Sequence, residues 1–300
     1  MGGLQPGREA MPSGMSDISI RRATPADAAQ CGQICFDAFT AINREHGFPC
    51  DFPSAEVAAG LLGMLFAHPN VYCVVAEAAG RIIGSNCMDE RASVFGVGPI
   101  TIDPGVQNSG VGRRLMETVM ERASVRRAAG VRLLQATFHM RSLALYASLG
   151  FEVRELLCCM QGRSLQREMP ECAVRPATPQ DADACNALAM RVHGFDRRQE
   201  LAEAVQQGTA LVVERGGKIT GYASSLAFFG HATAVTNLDL MAMIASADGF
   251  GGSGILVPAR DSVLFEWCLA DGLRIVQPMT LMTTGLYNNP TGAWMPSVIY

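Results

Sequence analysis

Lysine is almost missing from this chain: Lys218 is the only one in 300 residues, and arginine carries the rest of the basic charge. A phosphate loop of the Gly-Lys-Ser/Thr kind is excluded, because it needs the lysine ammonium on the phosphates. A biased codon supply is the simplest account of the shortage. The ten cysteines include adjacent Cys158-Cys159 and a Cys31/Cys35 pair one helical turn apart, but no Cys-x-x-Cys. The five histidines, His46, His68, His139, His193 and His231, fall at no metal-ligand spacing. Buried reduced thiols are the default reading, and no metal is expected. A net charge of −4 provides no global basic field for nucleic acid or an anionic membrane. No apolar run approaches the roughly 18 residues that span a bilayer. The opening MGGLQPGREAMPSGM has no apolar signal core, and Pro6 stands where a myristoylation motif wants Ser or Thr. The expectation is a cytoplasmic protein with no membrane or nucleic-acid partner, its residues 1–15 a disordered tail by composition.

What is present is enough apolar residue, 49% against 17% charged, for real cores, and a length that suits two domains. The chain also repeats itself. In 20-IRRATPADAAQCGQI-34 and 174-VRPATPQDADACNAL-188, the residues Arg, Ala, Thr, Pro, Asp, Ala and Cys recur in register. Each copy reads as a short strand, a Thr-Pro helix start and an amphipathic helix; the Thr caps, and Pro fits the first turn where its missing N–H is harmless. The segments 74-VVAEAAGRIIGS-85 and 211-LVVERGGKITGY-222 both read as hairpins around glycine. The shorter interval in the second copy predicts an insertion near 40–70 in the first. A third match pairs Gly110, Gly112, Gly130 and Arg132 with Gly252, Gly254, Gly272 and Arg274 at unchanged spacing. We therefore expect domains at 16–160 and 172–300, joined by a polar linker at 161–171.

The stretch 101-TIDPGVQNSGVGRRLMETVMERA-123 ends a strand on Asp-Pro-Gly and re-emerges as a helix, with apolar Met116, Val119, Met120 and Ala123 at i, i+3, i+4, i+7. Its glycines gather bare amides at the positive end of that helix, which suits a phosphate. A Rossmann fingerprint is broken by Leu115 in the place of the third glycine. Gln107-x-x-Gly110-x-Gly112 has the Gln/Arg-x-x-Gly-x-Gly/Ala form of the GNAT superfamily of acyl-CoA-dependent N-acyltransferases. Downstream, 139-HMRSLALYASLGFE-152 resembles that superfamily's later motif, a helix with Leu-Tyr followed by Gly-Phe at a strand start. The resemblance covers 20–155 in motif detail and both copies in element order. It implies an α/β (α+β) fold of two tandem GNAT-like domains, each a twisted mixed sheet flanked by helices and splayed where the cofactor enters. It also implies that the backbone of Ile100, Thr101 and Ile102 holds the pantetheine arm of acetyl-CoA. The amides of Gln107, Asn108, Ser109, Gly110, Val111 and Gly112, with Arg113 and Arg114, hold the pyrophosphate. Tyr146 matches the acid that protonates the leaving thiolate, or else is an aromatic packed on Phe151. His139 departs from the pattern, standing where relatives often have Asn near the pantetheine.

An amine acceptor must lose a proton before it attacks, because alkylamines are mostly charged at pH 7. Asp89 and Glu90, at the strand end after the hairpin, stand where some relatives supply the base; their alternative is a solvated turn. Glu45 and His46 lie in the insertion, which by analogy shapes the acceptor pocket, and a water chain is a further route for the proton. In the second copy Gly249 replaces the Gln, and Pro258 interrupts the expected helix. We read that copy as degenerate, covering a sheet edge or walling the acceptor site. The expected activity is acetyl transfer to a primary amine, of a small molecule rather than a protein. The alternative is a non-catalytic CoA-binding sensor. The sequence leaves a homodimer open.

Overall fold

The computed structural model describes residues 18–299; the tail expected at 1–15 lies outside them. The N-terminal half runs β1 (Ser19–Arg22), α1 (Ala28–Glu45), α2 (Ala55–Ala67), β2 (Val71–Ala78), β3 (Arg81–Asp89), β4 (Val94–Ile102), α3 (Val111–Val125), β5 (Gly130–Ala136), α4 (Met140–Ser148) and β6 (Glu152–Gln161). The C-terminal half repeats that order: β7 (Ala173–Pro176), α5 (Ala182–His193), α6 (Arg198–Gln207), β8 (Leu211–Arg215), β9 (Lys218–Ala223), β10 (Ala232–Ala234), α7 (Asn237–Ser246), β11 (Ile255–Pro258), α8 (Ser262–Ala270) and β12 (Arg274–Gly285). A last short strand, β13 (Ala293–Met295), follows.

The repeat extends to side chains. Thr24 and Thr178 each open a helix through a reciprocal box, with Asp27 and Asp181 accepting from the threonine N–H at 2.7 Å. Arg21 on β1 grips Asp27 and Glu77, and Arg175 on β7 grips Asp181 and Glu214 in the same way. The hairpins turn on Ala79-Gly80 and Gly216-Gly217, all four at positive φ; two such residues match the strand twist. The insertion proves to be a longer α1, a longer α2 and the loop 46–54 between them.

The two halves do not keep separate sheets. One eight-stranded sheet has the order β1-β2-β3-β4-β5-β12-β6-β11, and a five-stranded sheet has the order β13-β10-β9-β8-β7. Strand β12 of the second half lies between β5 and β6 of the first and is antiparallel to both. By element order β12 is the counterpart of β6, so the last strands of the two copies lie side by side at the joint. Without it, β5 and β6 would each present a bare backbone edge. An apolar cluster including Leu157, Cys159, Phe228, Leu256, Met279 and Trp294 draws on both halves at this joint. The segment expected to be a linker packs along the second half: Arg167 donates its N–H to the Ala245 carbonyl at 2.9 Å and pairs with Asp271.

The glycine match between 110–132 and 252–274 is corrected by this topology. Gly252 and Gly254 lie between α7 and β11, the counterpart of the turn between α3 and β5, and Pro258 ends strand β11 rather than entering a helix. Gly272 follows α8 as Gly150 follows α4, with φ of 91° and 86°. Phe151 and Leu273 then send matching N–H bonds back to the carbonyls of Tyr146 and Cys268.

Candidate active site

Strand β4 pairs with β5 only from Val94 to Val97, opposite Gly130 to Leu133, in a parallel ladder. Beyond that, β4 stays with β3 and β5 goes with β12. Pro99 sits at the parting; it has no N–H to continue the ladder. The edge of β4 from Ile100 to Ile102 therefore faces open space, as an added strand would require. A cavity of about 500 Å³ fills the splay, walled by both strands, the loop before α3, α4, α1 and part of the second half.

The loop before α3 is built to hold its amides outward. Asp103 accepts from the Gly105 N–H at 2.9 Å, and Ser109 Oγ donates to the Val106 carbonyl at 2.5 Å. Asn108 and Gly110 take φ of 66° and 85°. The helical ladder opens with the Arg114 N–H on the Gly110 carbonyl. Among the described residues, no acceptor meets the N–H groups of Gln107 to Gly112. The two motif glycines serve different ends. Gly110 has open space around it but needs its left-handed backbone, whereas a Cβ on Gly112 would lie 3.2 Å from Ile102 and 3.5 Å from Leu145. Helix α3 thus comes down close to β4, with its positive end at the cavity. Arg113 and Arg141 add charge at the mouth; Arg141 is held there by the Gln107 side-chain oxygen at 3.0 Å.

All the residues expected around acetyl-CoA line this cavity except Arg114 and Ser109, the latter tied back to the Val106 carbonyl. Tyr146 is buried in the same wall, edge-on to Phe151 with ring centres 6.2 Å apart. The residue thus packs on Phe151 and also lines the cavity. Burial pushes its phenol up to about 12, offset by a hydrogen bond with Ser142, so it remains protonated at neutral pH and able to donate. Ser142 Oγ in turn lies 2.5 Å from His139 Nδ1. Burial first, then Arg141 and His46, push that imidazole down to about 4, so His139 is neutral. Gln135, on β5, is buried with neither its amide oxygen nor its nitrogen partnered, and it too lines the cavity.

Asp89 and Glu90 do not reach the cavity. Asp89 is gripped by Arg91, and Glu90 by Arg122 through two bonds of 2.8 and 3.0 Å. Both carboxylates are taken up in ion pairs and line two other clefts. Glu45 does line the cavity, while His46 lies tilted against Phe138, on which Phe48 stacks. The cavity carboxylate that sequence reasoning passed over is Asp51. It sits in the loop between α1 and α2, 2.9 Å from the Gln277 amide nitrogen on β12 and 3.1 Å from that of Asn43. Its place inside the insertion was the only signal available, because Gln277 stands 226 residues away.

The second copy has lost the corresponding features. Its β10–α7 connection is only Val235-Thr236, and the amide of Thr236 is taken by the buried Asp239 carboxylate at 3.0 Å. The position of Tyr146 is held by buried Cys268. Strand β13 pairs antiparallel with β10 and packs beside β11, filling the space that a splay would leave. The copy instead lends Phe228, Phe229, Ser253, Gln277 and Met279 to the wall of the first copy's cavity.

Residues 69–153, which span β2 to α4 and include the loop and Tyr146, match the family model of the acetyltransferase (GNAT) domain. No curated protein matches the sequence. Among solved structures, a candidate acetyltransferase of Pyrococcus horikoshii is similar at a TM-score of 0.70 and 16% identity, over 98% of this chain and 96% of that one. A GCN5-related N-acetyltransferase of Sphaerobacter thermophilus gives 0.60 at 14% identity, over 92% and 98%. A tandem GNAT protein from the clavulanic acid biosynthesis pathway gives 0.54 at 13%, over 91% and 100%. At these identities the likeness is one of fold. The match to the GNAT domain model is confined to 69–153, and over its length the chain shares the fold of these structures.

Proposed function

We propose that this protein is an N-acetyltransferase that moves the acetyl group of acetyl-CoA directly to a primary amine of a small molecule, at the site of the N-terminal half. The observation that carries the reading is the splay of β4 from β5 beside a loop whose amides have no acceptor. Pantetheine has two amides, and it suits an unpaired strand edge and the unpartnered Gln135; a pyrophosphate suits the amides of Gln107 to Gly112 at the end of α3. When the amine nitrogen bonds the thioester carbon, an oxyanion forms, and a strand N–H within Ile100–Ile102 is suited to receive it. As the carbon–sulfur bond breaks, Tyr146 donates its proton to the thiolate. All ten cysteines are free, which fits a reducing cytoplasm. Among the described residues, no helix is long and apolar enough to cross a membrane.

The test is thiol release from acetyl-CoA in the presence of a panel of primary amines, with mass analysis of the products. Amine-dependent release with a 1:1 N-acetylated product is expected. Acetyl-CoA binding without transfer to any amine would favour a sensor instead.

A further inference from the structure

The part of the cavity away from the glycine loop holds a carboxylate in an unusual setting. Asp51 accepts from three neutral donors: Gln277 Nε2 at 2.9 Å, Asn43 Nδ2 at 3.1 Å and Ser253 Oγ at 3.5 Å. No arginine, lysine or histidine among the described residues pairs with it, although most other acidic groups that line pockets here are gripped by arginine. Beside it, Gln277 is buried to 2% exposure and its Oε1 has no partner. The walls around this end are apolar: Phe39, Phe52, Leu61, Phe228 and Met279. Removing a carboxylate from water without a counter-cation is costly. Burial accordingly raises the Asp51 carboxyl above its ordinary range, against the three hydrogen bonds. An anion without a cation and a buried carbonyl without a donor define the complement of a primary ammonium on an apolar body.

We propose that Asp51 and the Gln277 carbonyl bind the acceptor's ammonium, that Asp51 takes its first proton, and that the acceptor is a small monoamine with an aromatic or branched aliphatic body. The inference rests on the acyltransferase reading and adds the base and the substrate class to it. The ammonium gives one proton to the Asp51 carboxylate, and the free amine forms the carbon–nitrogen bond. The tetrahedral adduct loses its second nitrogen proton as the thiolate leaves with the Tyr146 proton, and that second proton restores the phenol. The Asp51 proton passes to solvent, so each turnover yields an amide, a thiol and one proton. The second half has a definite part in this: Gln277 and Ser253, both from that half, fix the carboxylate that the first half uses.

The test uses 2-phenylethylamine as acceptor, with spermidine and a lysine-containing peptide as contrasts, and the isosteric Asp51→Asn. Calorimetry should find acetyl-CoA bound equally by the intact protein and the variant, within about twofold, because the pyrophosphate site is elsewhere. Transfer to 2-phenylethylamine should exceed transfer to both contrasts, and Asp51→Asn should lower its kcat/KM about 10²- to 10⁴-fold, the range for a lost general base. Gln277→Met keeps the volume and the carboxylate, and should raise KM for the amine more than it lowers kcat; it carries the test if Asp51→Asn fails to fold. An Asp51→Asn variant within threefold of the intact enzyme would overturn the role. A preference for spermidine or the peptide, or transfer to none of the three, would overturn the substrate class. Failure of the intact protein to bind acetyl-CoA is a separate result, and would remove the acyltransferase reading beneath.

Discussion

Replacing Tyr146 by phenylalanine removes one oxygen and leaves the ring in place. The ring is buried in one apolar cluster with Val111, Leu115 and Phe151 and lies edge-on to Phe151. The polar group beside the hydroxyl is Ser142, so the stability cost is at most that of one hydrogen bond, about 0.5–1.5 kcal/mol. The rate cost is of another size. A phenol that protonates the leaving thiolate is worth roughly 10²–10⁴-fold, or about 3–5 kcal/mol of barrier at 1.36 kcal/mol per tenfold. Thiol release at saturating acetyl-CoA gives kcat, and calorimetry gives the affinity for acetyl-CoA. Tyr146→Phe should lose kcat by at least about a hundredfold with its affinity and far-ultraviolet spectrum retained. A kcat within threefold of the intact enzyme would refute the acid role and leave Tyr146 as packing alone.

Two further perturbations address the fold. Gly254→Ala would place a Cβ 2.1 Å from the Met160 carbonyl oxygen at a φ of 127°, where neither backbone can give; we expect a loss of about 3 kcal/mol or more, or no soluble protein. Gly208→Ala, also at positive φ but facing open space, should cost only about 1–2 kcal/mol, and both are read from chemical denaturation. The pH dependence follows from His193 and His231, buried with their Nε2 atoms 3.0 Å apart. Burial holds both well below their ordinary range, so the unfolded chain binds protons that the folded chain refuses. Their contribution is complete above about pH 6.5 and falls away below it, by up to about 1.4 kcal/mol per pH unit for each ring. Asp27 and Asp181 have depressed values too, but their contribution is lost only below about pH 4. Melting temperature should therefore drop between pH 7 and 5, and a flat profile would contradict the buried neutral pair.

Much of the N-terminal half was legible in the sequence because its signals are local. A Thr-Pro-x-Asp start, a two-residue positive-φ hairpin and a strand–glycine–helix junction each depend on neighbours within a few positions. The strand exchange was not legible, since alternation tells which face of β12 is buried but not which edge it pairs with. The false glycine match has a related cause. Gly150 and Gly272 both follow a helix, and a glycine at a helix end recurs wherever helices recur. Equal spacing therefore linked positions that the topology separates. Asp89 and Glu90 were read as free because nothing marks Arg91 and Arg122 as their partners until the strands are paired. Asp51 was passed over because two of the three groups that hold it, Gln277 and Ser253, come from the other half of the chain.

The central claim is that one half of the duplicated fold binds acetyl-CoA and the other has closed its slot with Asp239 and β13. Calorimetric titration of acetyl-CoA into the intact protein and into Gly110→Asp tests it most directly, since the variant sets a carboxylate among the amides of the loop. One site per chain, abolished by Gly110→Asp, is the predicted result. Two sites per chain, or one that survives the substitution, would contradict it.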